Sequence, residues 1–212
     1  MTQHWNDVYA TRRVEERSWS ESAPTTSLEL LDRLGVTASE SFIDVGAGES
    51  HLVDHLLARG FTDLSILDVS TTALAATLER VGSDRVVAID GDVTSWRSER
   101  RYDVWHDRAV LHFLSPTDAL RYARTVRAAV SPGGAVVIGV FAPDGPATCS
   151  GLTVTHYTAP ELMSLLGEEF DVVDERRTRH VTPWGDEQSF QWIAARRREH
   201  ASQLSVTSRP GS

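Results

Sequence analysis

Short apolar runs alternate with helical patterns along most of the 212 residues of this chain. Five of the runs have strand length, at residues 41–45, 64–69, 85–89, 102–106 and 135–141. Leucines and alanines at helical spacing separate most of these runs. Because repeated strand–helix–strand units form parallel sheets with right-handed crossovers, the pattern predicts a doubly wound α/β fold.

The two ends of the chain depart from this alternation. A helical pattern at 160–166 is followed by two strand-like runs, 170–175 and 189–195, which are most simply an antiparallel pair. The last residues are rich in Ser with Pro and Gly, so we expect 199–212 to form a flexible tail. The first 27 residues show no strand pattern, although they carry Trp5, Tyr9 and Trp19.

Composition excludes several function classes. All 21 basic residues are Arg, so neither a P-loop lysine nor a pyridoxal Schiff base can be formed. A net charge of −9 argues against nucleic-acid binding. With one cysteine, no signal-type N-terminus and no run of 18 apolar residues, we expect a cytoplasmic protein with no membrane partner. His51 and His55 lack a third ligand at a matching offset, so no metal site is expected.

Glycines and acidic residues stand where the predicted strands end. In open α/β sheets, ligands bind beyond the carboxyl ends of the strands. Gly46-Ala47-Gly48 follows the first strand, and Asp68, Asp92 and Asp107 follow the next three. A carboxylate 20 residues after Gly48 can accept hydrogen bonds from two ribose hydroxyls. The series predicts a nucleoside-type cofactor.

The glycine turn differs from a dinucleotide fingerprint. His51 takes the place of the third small residue, and Glu49 would lie beside a pyrophosphate that it repels. Asp44, two residues before the first glycine, suits a ligand that carries an ammonium group. A nicotinamide-dependent oxidoreductase therefore stays a remote alternative.

Taken together, these motifs resemble the class I S-adenosylmethionine-dependent methyltransferases. The resemblance rests on Phe42 to Gly48, Leu67 to Ser70, Gly91 to Val93, Tyr102 to Leu114 and Ser131 to Ala135, which occur in family order. Ser50 stands where a third glycine is usual. The resemblance implies a Rossmann-like, seven-stranded, mostly parallel sheet with an antiparallel last strand, in a domain spanning 31–198. It also implies S-adenosylmethionine as cofactor and S-adenosylhomocysteine as product.

Cofactor-binding roles are implied residue by residue. Gly46 and Gly48 would pass under the methionine and adenosine parts, Asp68 would bind the ribose, and Asp92 would accept from the adenine amino group. The full set of implied cofactor residues in the domain is Asp44, Gly46, Ala47, Gly48, Asp68, Val69, Asp92, Val93 and Asp107.

The first 30 residues resemble the N-terminal lid segment of thiopurine-methyltransferase-like and protein-lysine methyltransferase-like enzymes. By that resemblance Trp5 and Tyr9 would close over the cofactor and Trp19 over the substrate. The alternative is that these rings only pack the segment onto the domain.

Methyl transfer needs mainly a nucleophile held in line with the methyl group in a dry site. Asp107 and His112 are candidates for a general base. We expect Trp19, His112, Cys149 and His156 to line the acceptor pocket. The predicted acceptor is a small molecule with a thiol or amine nucleophile, and a protein lysine is the alternative. The protein would be a monomer or a homodimer.

Overall fold

The computed structural model describes residues 2–199, so the predicted tail from residue 200 onward lies outside the described residues. The helices are α1 (Thr2–Thr11), α2 (Thr25–Arg33), α3 (Leu52–Ala58), α4 (Thr71–Val81), α5 (Pro116–Ala129) and α6 (Ala159–Leu166). The strands are β1 (Phe42–Val45), β2 (Leu64–Asp68), β3 (Val87–Asp90), β4 (Tyr102–Arg108), β5 (Val130–Phe141), β6 (Thr148–Cys149), β7 (Leu152–Thr153), β8 (Phe170–Val181) and β9 (Glu187–Arg197). Short 3-10 turns cover Val14–Glu16 and Leu111–Phe113.

Within this part of the chain, seven strands form one sheet in the order β3-β2-β1-β4-β5-β9-β8. The pairs among β1 to β5 are parallel, whereas β9 is antiparallel to both β5 and β8. The predicted mostly parallel sheet with an antiparallel last strand is thus confirmed. The strand order reverses between β1 and β4, which is the point where open α/β sheets bind ligands.

Two hydrophobic cores cover the faces of the sheet. One packs α2, α3 and α4 against the sheet through residues such as Leu30, Leu56 and Leu74. The other packs α5 and α6 through Tyr122 and Leu162. Strands β1 and β2 are buried along their whole length, as expected for central parallel strands covered on both faces.

Helix starts follow the local sequence. The Ser115 hydroxyl accepts a hydrogen bond from the Asp118 amide at the start of α5, with Pro116 as the first helical residue. Thr158 and Glu161 form a reciprocal capping box at the start of α6. No helix among residues 2–199 is both long and apolar enough to cross a membrane.

Strands β5, β8 and β9 differ most from the sequence prediction. Strand β5 begins at Val130 rather than 135, because Val130 pairs with Tyr102 before a bulge interrupts the ladder. Strands β8 and β9 form a hairpin of 12 and 11 residues, well beyond 170–175 and 189–195. Charged residues are frequent in the edge strand β8, with four in succession at 174–177, so its apolar signal is weak although its backbone stays paired.

Candidate active site

A cleft opens at the carboxyl ends of β1, β2 and β4. Its volume is about 900 Å³, the open mouth included. Its lining includes Trp5, Tyr9, Trp19, Gly46, Asp68, Val69, Asp92, Val93, Arg108, Val110, Phe113 and Cys149. A second cleft adjoins it and shares four lining residues with it, namely Tyr9, Trp19, Gly46 and Arg108. Asp44 and Ala47 line this second cleft.

The glycine turn after β1 forms a floor that tolerates no side chain. Gly46 and Gly48 have φ values of +66° and +51°, in the left-handed region that favours glycine. A Cβ on Gly46 would overlap the Cγ2 atom of Val110, and a Cβ on Gly48 would overlap the Tyr9 hydroxyl. The missing side chains therefore let Val110 and Tyr9 pack directly against the turn. Gly46 lines both clefts, whereas Gly48 does not occur among the described lining residues of either.

Asp68 lies at the end of β2 with its carboxylate largely buried. Its Oδ2 atom accepts from the Gly48 amide and its Oδ1 atom from the Ser70 amide, both at 2.8 Å. Burial raises the pKa of this carboxyl to about 6, although the amides that donate to it oppose the shift. Each oxygen keeps a second lone pair for a hydroxyl group in the cleft.

Asp92 and Val93 follow β3 at the far end of the same cleft. Asp92 is exposed, and its Oδ1 atom accepts from the amide and the hydroxyl of Thr94, at 2.8 and 2.7 Å. Val93 is buried beside it. An acid and an apolar side chain thus stand together where a flat heterocycle with an amino group could bind.

Asp44 is held inside the domain by a buried hydrogen-bonded chain. Its Oδ1 atom lies 2.7 Å from His106 Nδ1, and His106 Nε2 lies 2.9 Å from the Ser27 hydroxyl. Asp44 and His106 both line the second cleft. The carboxylate is thereby fixed directly below the glycine turn.

Aromatic rings of the N-terminal segment cover the cleft. The ring centroid of Trp5 lies 5.8 Å from that of Trp19 and 5.1 Å from that of Phe113. The ring centroid of Tyr9 lies 6.1 Å from that of Trp19; Tyr9 is half-buried, with its hydroxyl against Gly48. The structure therefore brings the three N-terminal aromatic residues together at the cleft.

Polar contacts hold this segment in place. Arg17 forms a 2.6 Å ion pair with Glu49, which follows the glycine turn, and its guanidinium lies 4.8 Å from the centre of the Tyr9 ring. Arg17 also donates to the carbonyls of Tyr9 and Arg12. At the other end of α1, Asn6 accepts from the Ser70 hydroxyl at 2.9 Å.

Comparison with known proteins agrees with this geometry. Residues 43–136 match the model of a methyltransferase domain family, and they include the glycine turn and the acidic strand ends. The structure aligns with 1,6-didemethyltoxoflavin-N1-methyltransferase of Burkholderia thailandensis, solved with S-adenosylhomocysteine, at a TM-score of 0.68 and 25% identity over 91% of this chain and 82% of that one. These matches support the resemblance to the class I S-adenosylmethionine-dependent methyltransferases, with the family match covering residues 43–136.

The chain is also similar to a curated protein and to a further solved structure. Trans-aconitate 2-methyltransferase of Methylobacterium radiotolerans is 29% identical over 140 residues, which cover 66% of this chain and 50% of that protein. The chain thus matches half the length of this curated relative. A structure solved for the conversion of a disulfide bond into a thioacetal group during echinomycin biosynthesis has the same fold, with a TM-score of 0.75, 20% identity and coverage of 95% and 94%.

The two residues predicted as catalytic point into the domain instead of the cleft. Asp107 and His112 are fully buried and do not occur among the described residues that line either cleft. Asp107 Oδ1 accepts from the Val110 amide at 2.9 Å, and burial raises the pKa of Asp107 to about 6. Burial lowers the pKa of His112 to about 3, and its Nδ1 atom accepts from the Phe141 amide at 3.2 Å.

Both side chains therefore accept hydrogen bonds from backbone amides near the ends of β4 and β5. This geometry gives no support for a role of either residue as a general base. The strand-end position that made them candidates also places them beside chain segments that need an internal acceptor. One atom of each side chain accepts from such an amide, whereas Asp107 Oδ2 and His112 Nε2 are buried without a hydrogen-bond partner among residues 2–199.

Of the other residues predicted to line the pocket for the methyl acceptor, some line the clefts and one does not. Cys149 lines the first cleft with Sγ 3.7 Å from the Ser18 hydroxyl, and burial raises the pKa of its thiol. His156 Nε2 lies 3.0 Å from the Pro146 carbonyl, and His156 is absent from the described lining of both clefts. No group of three metal-ligating side chains occurs between residues 2 and 199, and His51 pairs with Asp54 at 3.7 Å.

Arg108 is the site residue that the sequence analysis missed. It ends β4 and lines both clefts. Among the described residues that line the first cleft, Arg108 carries the one basic side chain. The sequence places Arg108 directly after Asp107 at a predicted strand end, which could have marked it as a site residue. Because the chain contains 21 Arg, this single Arg was not distinguished from the others.

Proposed function

We propose that this methyltransferase transfers the methyl group of S-adenosylmethionine to a small-molecule acceptor with a thiol or amine nucleophile. The observation that carries the proposal is the cleft at the ends of β1, β2 and β4 and its cover of Trp5, Trp19 and Phe113. A cover of packed aromatic rings leaves room for a compact acceptor more readily than for a protein chain. The methyltransferases of trans-aconitate and of 1,6-didemethyltoxoflavin are named for small molecules, which agrees with this proposal.

The residues present fit the cofactor. Gly46 lines both clefts, and the turn that it forms with Gly48 holds Val110 and Tyr9 against the site. Asp68 would accept from the ribose hydroxyls, and Asp92 from the adenine amino group. Asp44, fixed by His106, supplies a negative charge near the turn for the ammonium group. When bound, S-adenosylmethionine supplies a methyl group on a positively charged sulfur, which is already a strong electrophile.

Catalysis would then depend on orientation and exclusion of water. The aromatic cover removes water from the cleft, which strengthens electrostatic interactions there. Because Asp107 and His112 face the interior, the acceptor would enter as a thiolate or a neutral amine. Holding such a nucleophile in line with the methyl group supplies most of the rate enhancement that the reaction needs.

Calorimetric titration with S-adenosylhomocysteine tests the cofactor, with NADH as the matched negative ligand. We expect heat of binding with S-adenosylhomocysteine alone. Transfer of a radiolabelled methyl group to panels of small thiols and amines, with a mixture of denatured proteins in parallel, tests the acceptor class. Labelling of protein lysines alone would refute the small-molecule proposal and favour the lysine alternative.

A further inference from the structure

Arg108 is a buried cation whose pairing is incomplete. Its side chain is 12% exposed. The Nη1 atom donates to the Trp19 carbonyl at 2.8 Å, and the guanidinium carbon lies 5.2 Å from the centre of the Phe190 ring. The Nη2 atom is buried and has no hydrogen-bond partner among residues 2–199. Its nearest carboxylate, Glu21, lies 3.4 Å away without hydrogen-bond geometry.

Other arginines at the clefts have hydrogen-bonded ion-pair partners. Arg17 pairs with Glu49 at 2.6 Å, and Arg80 pairs with Asp54 at 3.0 Å while donating to the Ser50 carbonyl. A buried guanidinium N–H without an acceptor is costly, and native structures normally avoid it. An incompletely paired Arg that lines a cleft is therefore suited to an anionic ligand, most of all a carboxylate, whose planar oxygens match the guanidinium.

We propose that Arg108 binds a carboxylate group of the methyl acceptor, so that the acceptor of the proposed function is a small carboxylic acid that carries a separate thiol or amine. The proposal rests on the proposed function, because it names the substrate class of the same site. Arg108 is here a substrate-binding and specificity-determining residue.

The surroundings of Arg108 favour the acceptor over the cofactor as the source of the carboxylate. The guanidinium packs on Phe190 of β9 and contacts Trp19 of the N-terminal segment. Asp68 and Asp92, which suit the nucleoside, follow β2 and β3 on the other side of β1 in the sheet. The carboxylate at Arg108 and the nucleoside would thus occupy opposite halves of the cleft.

The bound carboxylate is distinct from the group that is methylated. Pairing with a guanidinium stabilises the negative charge and so lowers the nucleophilicity of the oxygens. Arg108 would therefore orient the acceptor by one end and leave its thiol or amine free to react.

Glu21 would compete with the acceptor for Arg108. It is 29% exposed, and burial raises its pKa. Because it belongs to the N-terminal segment and lacks hydrogen-bond geometry to Arg108, its carboxylate can yield to an incoming one. Glu21→Gln removes the competing charge and should strengthen acceptor binding, whereas Arg108→Gln should weaken it.

The test uses isosteric probe pairs on the complex of the full chain with S-adenosylhomocysteine. 3-Mercaptobenzoate is compared with 3-mercaptobenzamide, and 3-aminobenzoate with 3-aminobenzamide, by calorimetric titration. We expect wild type to prefer the carboxylate of at least one pair, and Arg108→Gln to lose roughly 10- to 100-fold in affinity for it, as for a charged hydrogen bond. Arg108→Lys should recover part of the loss, because Lys keeps the positive charge but lacks the two parallel N–H donors of a guanidinium. Glu21→Gln should bind the carboxylate more tightly.

Arg59→Gln is the matched control, because it removes a positive charge whose ion pair with Asp32 is far from the clefts' lining. Arg59→Gln should leave the preference for carboxylate over amide unchanged in both the thiol pair and the amine pair. Equal binding of amide and carboxylate by wild type, binding of neither, or a preference that survives in Arg108→Gln would overturn the proposal.

Two cofactor titrations separate the remaining explanations. If Arg108→Gln loses affinity for S-adenosylhomocysteine but not for 5′-methylthioadenosine, which lacks the amino-acid part, the guanidinium binds the cofactor's own carboxylate and the proposal is overturned. If wild type fails to bind S-adenosylhomocysteine at all, the proposed function fails, which is a different result from failure of the Arg108 assignment.

Discussion

Replacing Gly46 with Ala tests the close packing of Val110 against the glycine turn at the cleft. Gly46 has a φ of +66° and faces Val110, whereas Gly35 has a φ of +68° and a Cβ added there would meet no atom of the described chain within 4 Å. The two positions therefore impose the same backbone strain but differ in crowding. Gly35→Ala is a matched control for the conformational cost alone.

The expected magnitudes differ accordingly. Left-handed backbone costs a non-glycine residue about 1–2 kcal/mol, which is the expected loss for Gly35→Ala. In Gly46→Ala the new methyl group also overlaps Val110 Cγ2, and overpacking adds about 1–3 kcal/mol. The sum is about 2–5 kcal/mol. For a domain of this size each kcal/mol lowers Tm by roughly 2–4 °C.

Thermal unfolding and calorimetric titration with S-adenosylhomocysteine measure both effects. Gly35→Ala should lower Tm modestly and leave the affinity unchanged, whereas Gly46→Ala should lower Tm further and weaken binding roughly tenfold or more, since about 1.4 kcal/mol corresponds to tenfold. Adding Val110→Ala to Gly46→Ala should recover part of the Tm through a favourable coupling of about 0.5–3 kcal/mol. Equal Tm losses at the two glycines, with unchanged affinity at both, would refute the reasoning.

Three further predictions concern charged groups. Affinity for S-adenosylhomocysteine should fall as pH drops through about 6, where Asp68 gains a proton, and Asp68→Asn should bind weakly and lose this pH dependence in calorimetric titrations. Because the native Asp107 carboxyl binds its proton more tightly than the unfolded one, its contribution to stability is largest below about pH 4 and is lost as pH rises through about 6. Asp107→Asn should therefore flatten the pH dependence of the urea midpoint over this range, and an unchanged slope would contradict that. Glu49→Gln removes the partner of Arg17, so amide exchange in residues 2–20 should speed up while exchange in the sheet stays slow; unchanged exchange would show that the pair does not hold the segment.

Local patterns made the sheet and the cofactor half of the cleft predictable. Each apolar run of strand length lies within a few residues of the glycine turn or the acid that follows it in sequence. Since parallel strands present their carboxyl ends at one edge, these local signals were enough to bring Gly46, Asp68 and Asp92 to one cleft.

The acceptor half was less predictable. Asp107 and His112 stand at a strand end, yet their side chains turn inward to accept from the amides of Val110 and Phe141. Which way a strand-end side chain points depends on the nearby amides that need an acceptor, and that requirement arises only in the folded chain.

The sequence by itself determined the doubly wound sheet, the glycine turn and the acids at the strand ends, because each follows from periodicity or from the conformational freedom of glycine over a few residues. Only the tertiary structure decided that Glu49 anchors the N-terminal segment through Arg17, 32 residues away, and that Arg108 meets Trp19 across 89 residues. Such contacts depend on how distant segments pack, and no local pattern of residue types encodes which charged side chain is left without a full set of partners.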